Sequence, residues 1–103
     1  MSLSVYLSEE VYNSNITHNL NKMAAEAGIY RLLWYPEEED ITYAEQLIEP
    51  LEKAIEDMES RPEHYQTFDS PNGWGLYVNF LPWLKRLLDA CVKHPDSTIR
   101  VSV

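Results

Sequence analysis

The sequence predicts a mainly helical α+β fold. It is read as a three-helix bundle with short extra helical turns, closed by a two-stranded sheet made from the N- and C-terminal strands. Three observations carry this reading. The two ends of the chain alternate apolar and polar residues, with β-branched types prominent. Two long internal segments repeat apolar residues at helical spacing. Between those segments stands Pro71-Asn72-Gly73-Trp74-Gly75, a turn signal of unusual density.

Residues 4–7 (Ser-Val-Tyr-Leu) read as a short strand that runs into a turn at Ser8-Glu9-Glu10, and residues 1–3 are given no structural weight. Residues 98–103 (Thr-Ile-Arg-Val-Ser-Val) alternate strictly and are the clearest strand. An unpaired strand is costly, so the two are expected to pair, in antiparallel sense. A first helix is expected to start with Ser14 or Asn15 as cap and to run to Ala27, with Leu20, Met23, Ala24 and Ala27 on one face. Gly28 then suits a left-handed terminator. Ile29 to Trp34 adds a helical turn or two, closed by Pro36, and Glu37-Glu38-Glu39-Asp40 is an exposed loop.

The second helix is expected from Ile41 or Thr42 to about Ser60, with Leu47, Ile48, Leu51, Ile55 and Met58 as its apolar stripe. Pro50 removes one backbone donor there and should bend the helix. Arg61-Pro62 closes it, and 63–68 makes one short turn. The third helix, from about Leu76 to Lys93, buries Tyr77, Phe80, Leu81, Leu84, Leu87, Leu88 and Cys91, with Pro82 expected to kink it.

A chain of 103 residues with 45% apolar content is one domain of ordinary size, 1–103, with a single core. One cysteine, Cys91, allows no intrachain disulfide and no thiolate metal cluster, and its helical spacing makes it a small core residue. No apolar run reaches bilayer length and no charged-then-apolar leader stands at the start, so a reducing cytoplasm is the expected compartment. The net charge of −9 is uneven: residues 1–35 balance to −1, 36–70 to −10 and 71–103 to +2. Direct binding to nucleic acid or to an anionic membrane, which needs clustered Lys and Arg, is therefore not expected.

Two surfaces stand out as candidates. Asn15, Thr17, His18 and Asn19 gather hydrogen-bonding side chains at the expected helix start, where capping explains Asn15 and Thr17 on local grounds. Trp74, Asn72 and Tyr77 can supply a stacking face with polar tips for a planar ligand. If the turn before the third helix packs on the start of the first, His18, Asn19, Asn72 and Trp74 share one pocket with Tyr77 beside it. The second surface is the outer side of the second helix. There Glu45, Glu49, Glu52 and Glu56 form an anionic strip able to enter a basic groove on a protein, as a nucleic-acid mimic or inhibitor would.

No nucleophile elbow, phosphate-cradling glycine loop or zinc signature is present, so no catalytic residue, cofactor or metal is assigned. A small enzyme using His18 as general base is the remaining catalytic alternative. Adjacent acids at 37–40 lack the alternation of a calcium loop. The partners expected are a small polar ligand or a host protein, with a homodimer as a further option through an exposed edge of the terminal ribbon.

The segments Asn15-Ile16-Thr17-His18-Asn19-Leu20, Ala27-Gly28-Ile29-Tyr30, Leu47-Ile48-Glu49-Pro50-Leu51, the Asn-Gly-Trp-Gly turn with Tyr77, Ala90-Cys91 and Pro95-Asp96 together resemble a group of small uncharacterised proteins of bacteriophages, prophages and bacterial genomes. The resemblance covers most of the chain from Asn15 onward. It implies a phage or prophage source and a fold neighbourhood; it implies no mechanism.

Overall fold

A computed structural model describes residues 2–8, 12–73 and 75–103. The chain is α+β and mostly helical, but its sheet has three strands rather than two, in the order β2-β1-β3 and antiparallel throughout. β1 (Ser2–Leu7) lies in the centre because Leu3, Val5 and Leu7 on its inner face are all buried. The strand takes in Ser2 and Leu3, so part of the segment given no structural weight belongs to the core. β3 (Ile99–Ser102) pairs with β1 in the expected antiparallel sense, Val5 opposite Val101 and Leu7 opposite Ile99.

The unforeseen strand is β2 (Tyr12–Thr17), which pairs with β1 from Leu7 opposite Tyr12 to Ser2 opposite Thr17. Asn and Ser are poor strand formers, which is why this segment reads as a helix cap in isolation. Pairing overrides that preference. Ile16 turns inward, while Asn15 on the outer face donates its amide to Ser2 Oγ at 2.7 Å and to Ser4 Oγ at 3.2 Å. The helix expected from 14 or 15 to 27 thus begins only after the strand. A 3₁₀ turn (His18–Leu20) leads into α1 (Asn21–Glu26), and Gly28, at φ 79°, ends it in the left-handed conformation.

α2 (Tyr30–Trp34) and a second 3₁₀ turn (Pro36–Glu39) follow. α3 (Glu45–Ser60) starts later than expected because residues 42–44 are held by the C-terminal segment. Ile99 N–H donates to Thr42 O at 2.9 Å, Ala44 N–H to Ser97 O at 2.8 Å, and Tyr43 bridges Thr98. Gln46 completes the start: its Oε1 accepts from the N–H groups of Thr42 and Tyr43 at 2.7 and 2.8 Å. α4 (Pro62–Gln66) is the short turn of helix expected after Arg61, and α5 (Tyr77–Lys93) matches the third expected helix within one residue. Both long helices run on through their internal proline, Pro50 in α3 and Pro82 in α5.

α3 and α5 pack on each other and on the inner face of the sheet, around Leu47, Leu51, Met58, Phe80, Leu84 and Leu87. Trp34, Tyr65 and Trp83 fill the remaining volume. Among the described residues, no helix is long and apolar enough to cross a membrane.

Candidate functional site

The loop from 67 to 76 is folded by its own hydrogen bonds. Gly73 N–H donates to Ser70 O and Ser70 N–H to Gly75 O, both at 3.1 Å, and Ser70 Oγ donates to Asn72 Oδ1 at 2.6 Å. Asp69 Oδ1 then accepts from Tyr77 N–H at 2.7 Å, putting a carboxylate on the amino end of α5. Gly75 is the point of contact with the rest of the molecule. Its φ of 108° is open to glycine, and a Cβ there would lie 3.0 Å from Asn19 Cβ and 3.2 Å from the Asn19 carbonyl carbon. Only a residue without a side chain lets this loop settle on the 3₁₀ turn.

That approach brings two stretches together that are more than fifty positions apart in sequence. Between them runs an open cleft of about 960 Å³. One wall is the end of β2 and the 3₁₀ turn, with Asn15, Thr17, His18 and Asn19; the other is Gly73, Gly75, Leu76 and Asn79. Ile16 and Leu20 add apolar surface, and no charged side chain stands among the described lining residues.

His18 is positioned from behind. The Nε1–H of Trp34, a residue only 2% exposed, donates to His18 Nδ1 at 2.9 Å, with the two ring centroids 6.2 Å apart. His18 Nε2 is buried and meets no partner among the described residues. Thr17 acts as the cap foreseen for it, accepting from Asn19 N–H at 3.3 Å.

The expected site residues separate into three groups. His18 and Asn19 line the cleft, Asn19 on its exposed rim. Asn72 is exposed in the adjoining loop, bonded to Ser70, and Trp74 lies outside the described residues. Tyr77 belongs to the core: it is 7% exposed and its hydroxyl donates to Met58 O at 2.8 Å, so that polar tip is engaged inside the protein. Burial holds its hydroxyl above the ordinary phenol pKa. Two residues of the region carry no signal by type alone. Asn79 faces the cleft from the first turn of α5, and Trp34 orients His18 from below.

On the second candidate surface Glu45, Glu49, Glu52 and Glu56 are all exposed along α3, and Glu49 pairs with Lys53 at 3.0 Å. A polar cluster lies elsewhere on that helix. Arg61 grips Asp57 through Nε at 3.2 Å and Nη2 at 2.6 Å, and the buried Tyr65 donates its hydroxyl to Asp57 Oδ2. The Arg61 contact, then the Tyr65 bond, holds the Asp57 carboxyl below its ordinary pKa, whereas burial raises Tyr65 to about 12. His64 sits beside the Glu26 carboxylate, and among the described residues no group of three His, Cys, Asp or Glu side chains is placed to hold a metal ion.

No protein-family model matches the chain, and neither does any curated protein or solved structure.

Proposed function

We propose that this chain is a small cytoplasmic, phage- or prophage-type protein that acts by binding, without catalysis, and takes a small polar ligand in the cleft between the 18–20 turn and the loop ahead of α5. The observation that carries the reading is the seating of Gly75 against Asn19. It joins two polar, uncharged stretches across one opening, with Ile16, Leu20 and Leu76 as apolar surface. Apolar walls with a few convergent polar groups are the usual make-up of a ligand site. The non-catalytic part rests on His18. Its Nδ1 accepts from an indole, and among the described residues no carboxylate orients the ring in the way a general base is oriented.

A thermal-shift screen against nucleosides, nucleotides and sugars tests the reading. A stabilising compound is expected whose effect His18→Ala and Asn79→Ala both remove while the proteins stay folded. Stabilisation indifferent to both substitutions places the ligand elsewhere and ends this reading.

One observation favours a second reading, an acidic inhibitor of a host protein. The four α3 glutamates are all exposed along the helix, with Lys53 paired to Glu49 among them. A salt-sensitive partner in a pull-down should disappear with Glu45→Lys, Glu49→Lys and Glu52→Lys combined; an unchanged set of captured proteins rejects it.

A further inference from the structure

We infer that the cleft takes an extended, uncharged stretch of polypeptide, which adds a fourth strand to the sheet along the outer edge of β2. The inference rests on the binding reading above and names its ligand as a peptide main chain. Strand order leaves β2 at one end of the sheet, with β1 as its strand neighbour. The direction of its backbone groups follows from the ladder. Ser8 N–H donates to Thr98 O at 3.0 Å, so the even residues of β1 turn their N–H and C=O groups towards β3 and the odd ones towards β2. The odd residues Leu3, Val5 and Leu7 stand opposite Ile16, Ser14 and Tyr12. Asn13, Asn15 and Thr17 therefore direct their main-chain groups out of the sheet. Among the described residues, nothing meets the N–H and C=O of Asn13 and Asn15 or the N–H of Thr17 on that side.

Free strand edges are usually closed by a charge, a proline or a bulge. β2 has none of these: Tyr-Asn-Ser-Asn-Ile-Thr carries no charge, and its register with β1 runs without a skipped residue. On the opposite edge of the sheet, Ile99 of β3 already gives its N–H to Thr42. Asn13 and Asn15 are exposed, and the Asn15 amide leans away from the edge, onto Ser2 and Ser4 of β1. Asn15, Ile16 and Thr17 line the cleft, and Gly73, Gly75 and Leu76 stand across it. A peptide that arrives alone fits between these walls, whereas β2 of a second copy brings its own α5 packed against it. The lining also selects side chains. It holds no charged residue among those described, so a charge carried in would lose water without gaining a counter-ion. Alternate residues of an added strand lie beside Asn15 and Thr17, and the others beside Ile16, with Leu20 and Leu76 beyond. Hydroxyl or amide residues suit the first set and β-branched apolar residues the second. Main-chain pairing then gives affinity and the alternation gives selectivity.

The blocked peptide acetyl-Thr-Val-Thr-Val-Thr-amide, titrated to millimolar concentration into the ¹⁵N-labelled whole chain, tests this. The backbone amides of Asn13, Asn15 and Thr17 are expected to shift and to exchange more slowly, while those of Ser14 and Ile16, already paired with β1, change less. Two N-methylated forms of the peptide, one for each alternate set of residues, should differ: methylation of the set that faces β2 abolishes binding, and methylation of the other set does not. Asn15→Pro removes one outward donor and leaves the β1 ladder whole, so affinity should fall about fivefold, the worth of one hydrogen bond. Asn15→Ala, which keeps that donor, should bind as the wild type does. Shifts at Asn19 and Asn79 with Asn13 and Asn15 unmoved overturn the inference and keep the cleft as a binding site. So do two N-methylated forms that both bind as tightly as the parent peptide. A dimer of the free chain in sedimentation, with the Asn13 and Asn15 amides protected, gives the edge to a second copy and overturns it as well. Silence towards the peptide also overturns it, and the binding reading then stands or falls by the nucleoside and sugar screen.

Discussion

Where α3 meets α5, Leu51, Met58, Phe80, Leu84 and Leu87 are sealed from water and fit by shape alone. Where the 18–20 turn meets the loop ahead of α5, the join is a backbone approach at Gly75, and each side is braced on its own: the loop by Asp69 on the amino end of α5, His18 by the Trp34 indole. The first contact is mainly many weak, interchangeable attractions, with the Tyr77 hydroxyl on Met58 O and Lys85 on Glu59 as its polar bonds; the second is one close approach that admits only glycine. That difference explains why one half of this molecule is a scaffold and the other holds an opening. Close packing leaves no room for a ligand, whereas a junction held at isolated points encloses space between them.

The largest effect that would sharpen this contrast is in the helical interface. Phe80 is fully buried in the core cluster, so Phe80→Ala should lower unfolding free energy by about 3–5 kcal/mol in chemical denaturation. A loss near 1 kcal/mol would mean that the interface relaxes into the space and is not packed as described.

The second effect uses pH to ask whether that interior is dry. Burial alone pushes the Cys91 thiol from its ordinary 9.0 up to about 11. A folded-state pKa above the unfolded one gives a contribution that is complete below pH 9.0 and is lost as pH rises through about 11. The loss at full titration corresponds to about 2–3 kcal/mol. Tyr65, raised to about 12 first by burial and then by its bond to Asp57, adds to the same alkaline decline. Melting curves from pH 8 upward should therefore fall less steeply for Cys91→Ala than for the wild type, whatever its stability at neutral pH. Parallel profiles would show that water reaches the thiol in the folded protein.

The same contrast governs what could be read before the fold was known. The α5 stripe from Tyr77 to Cys91 repeats its apolar residues often enough for position and face to follow from periodicity, and the helix is found within one residue of expectation. The antiparallel β1–β3 pairing was legible for a similar reason, two alternating ends with no other declared partner. β2 was not. Its Asn and Ser residues favour caps and turns locally, and it is Ile16 opposite Leu3 and the Asn15 bonds to Ser2 and Ser4, all supplied by the strand just before it, that make it extended. At the candidate site the residue types pointed to His18 and Asn19, but nothing local revealed that Trp34 would lie behind His18 or that Asn79 would face it. Tyr77 stands in both expectations, on the buried stripe of α5 and in the stacking face of the site, and its burial with its hydroxyl on Met58 O agrees with the first.

Gly75 supplies the smallest effect and the one most specific to the junction. A methyl group at this position must displace Asn19 backbone atoms, and an L-residue at φ 108° is strained whatever the space. The loop has a cheaper response than the core: it can lift away, because Gly73 has nothing within 4 Å of its own Cβ position and the chain there is exposed. Gly75→Ala should therefore cost only about 1–3 kcal/mol in denaturation, less than Phe80→Ala, while opening the cleft. The stability change alone does not distinguish a strained loop from a displaced one, so the informative readout is local. Hydrogen exchange at Asn19, Leu76 and Tyr77 should quicken, with rates along α3 unchanged. If α3 amides quicken to the same degree, the two halves unfold as one unit, and the separation of a packed scaffold from a point-held junction fails at its most sensitive place.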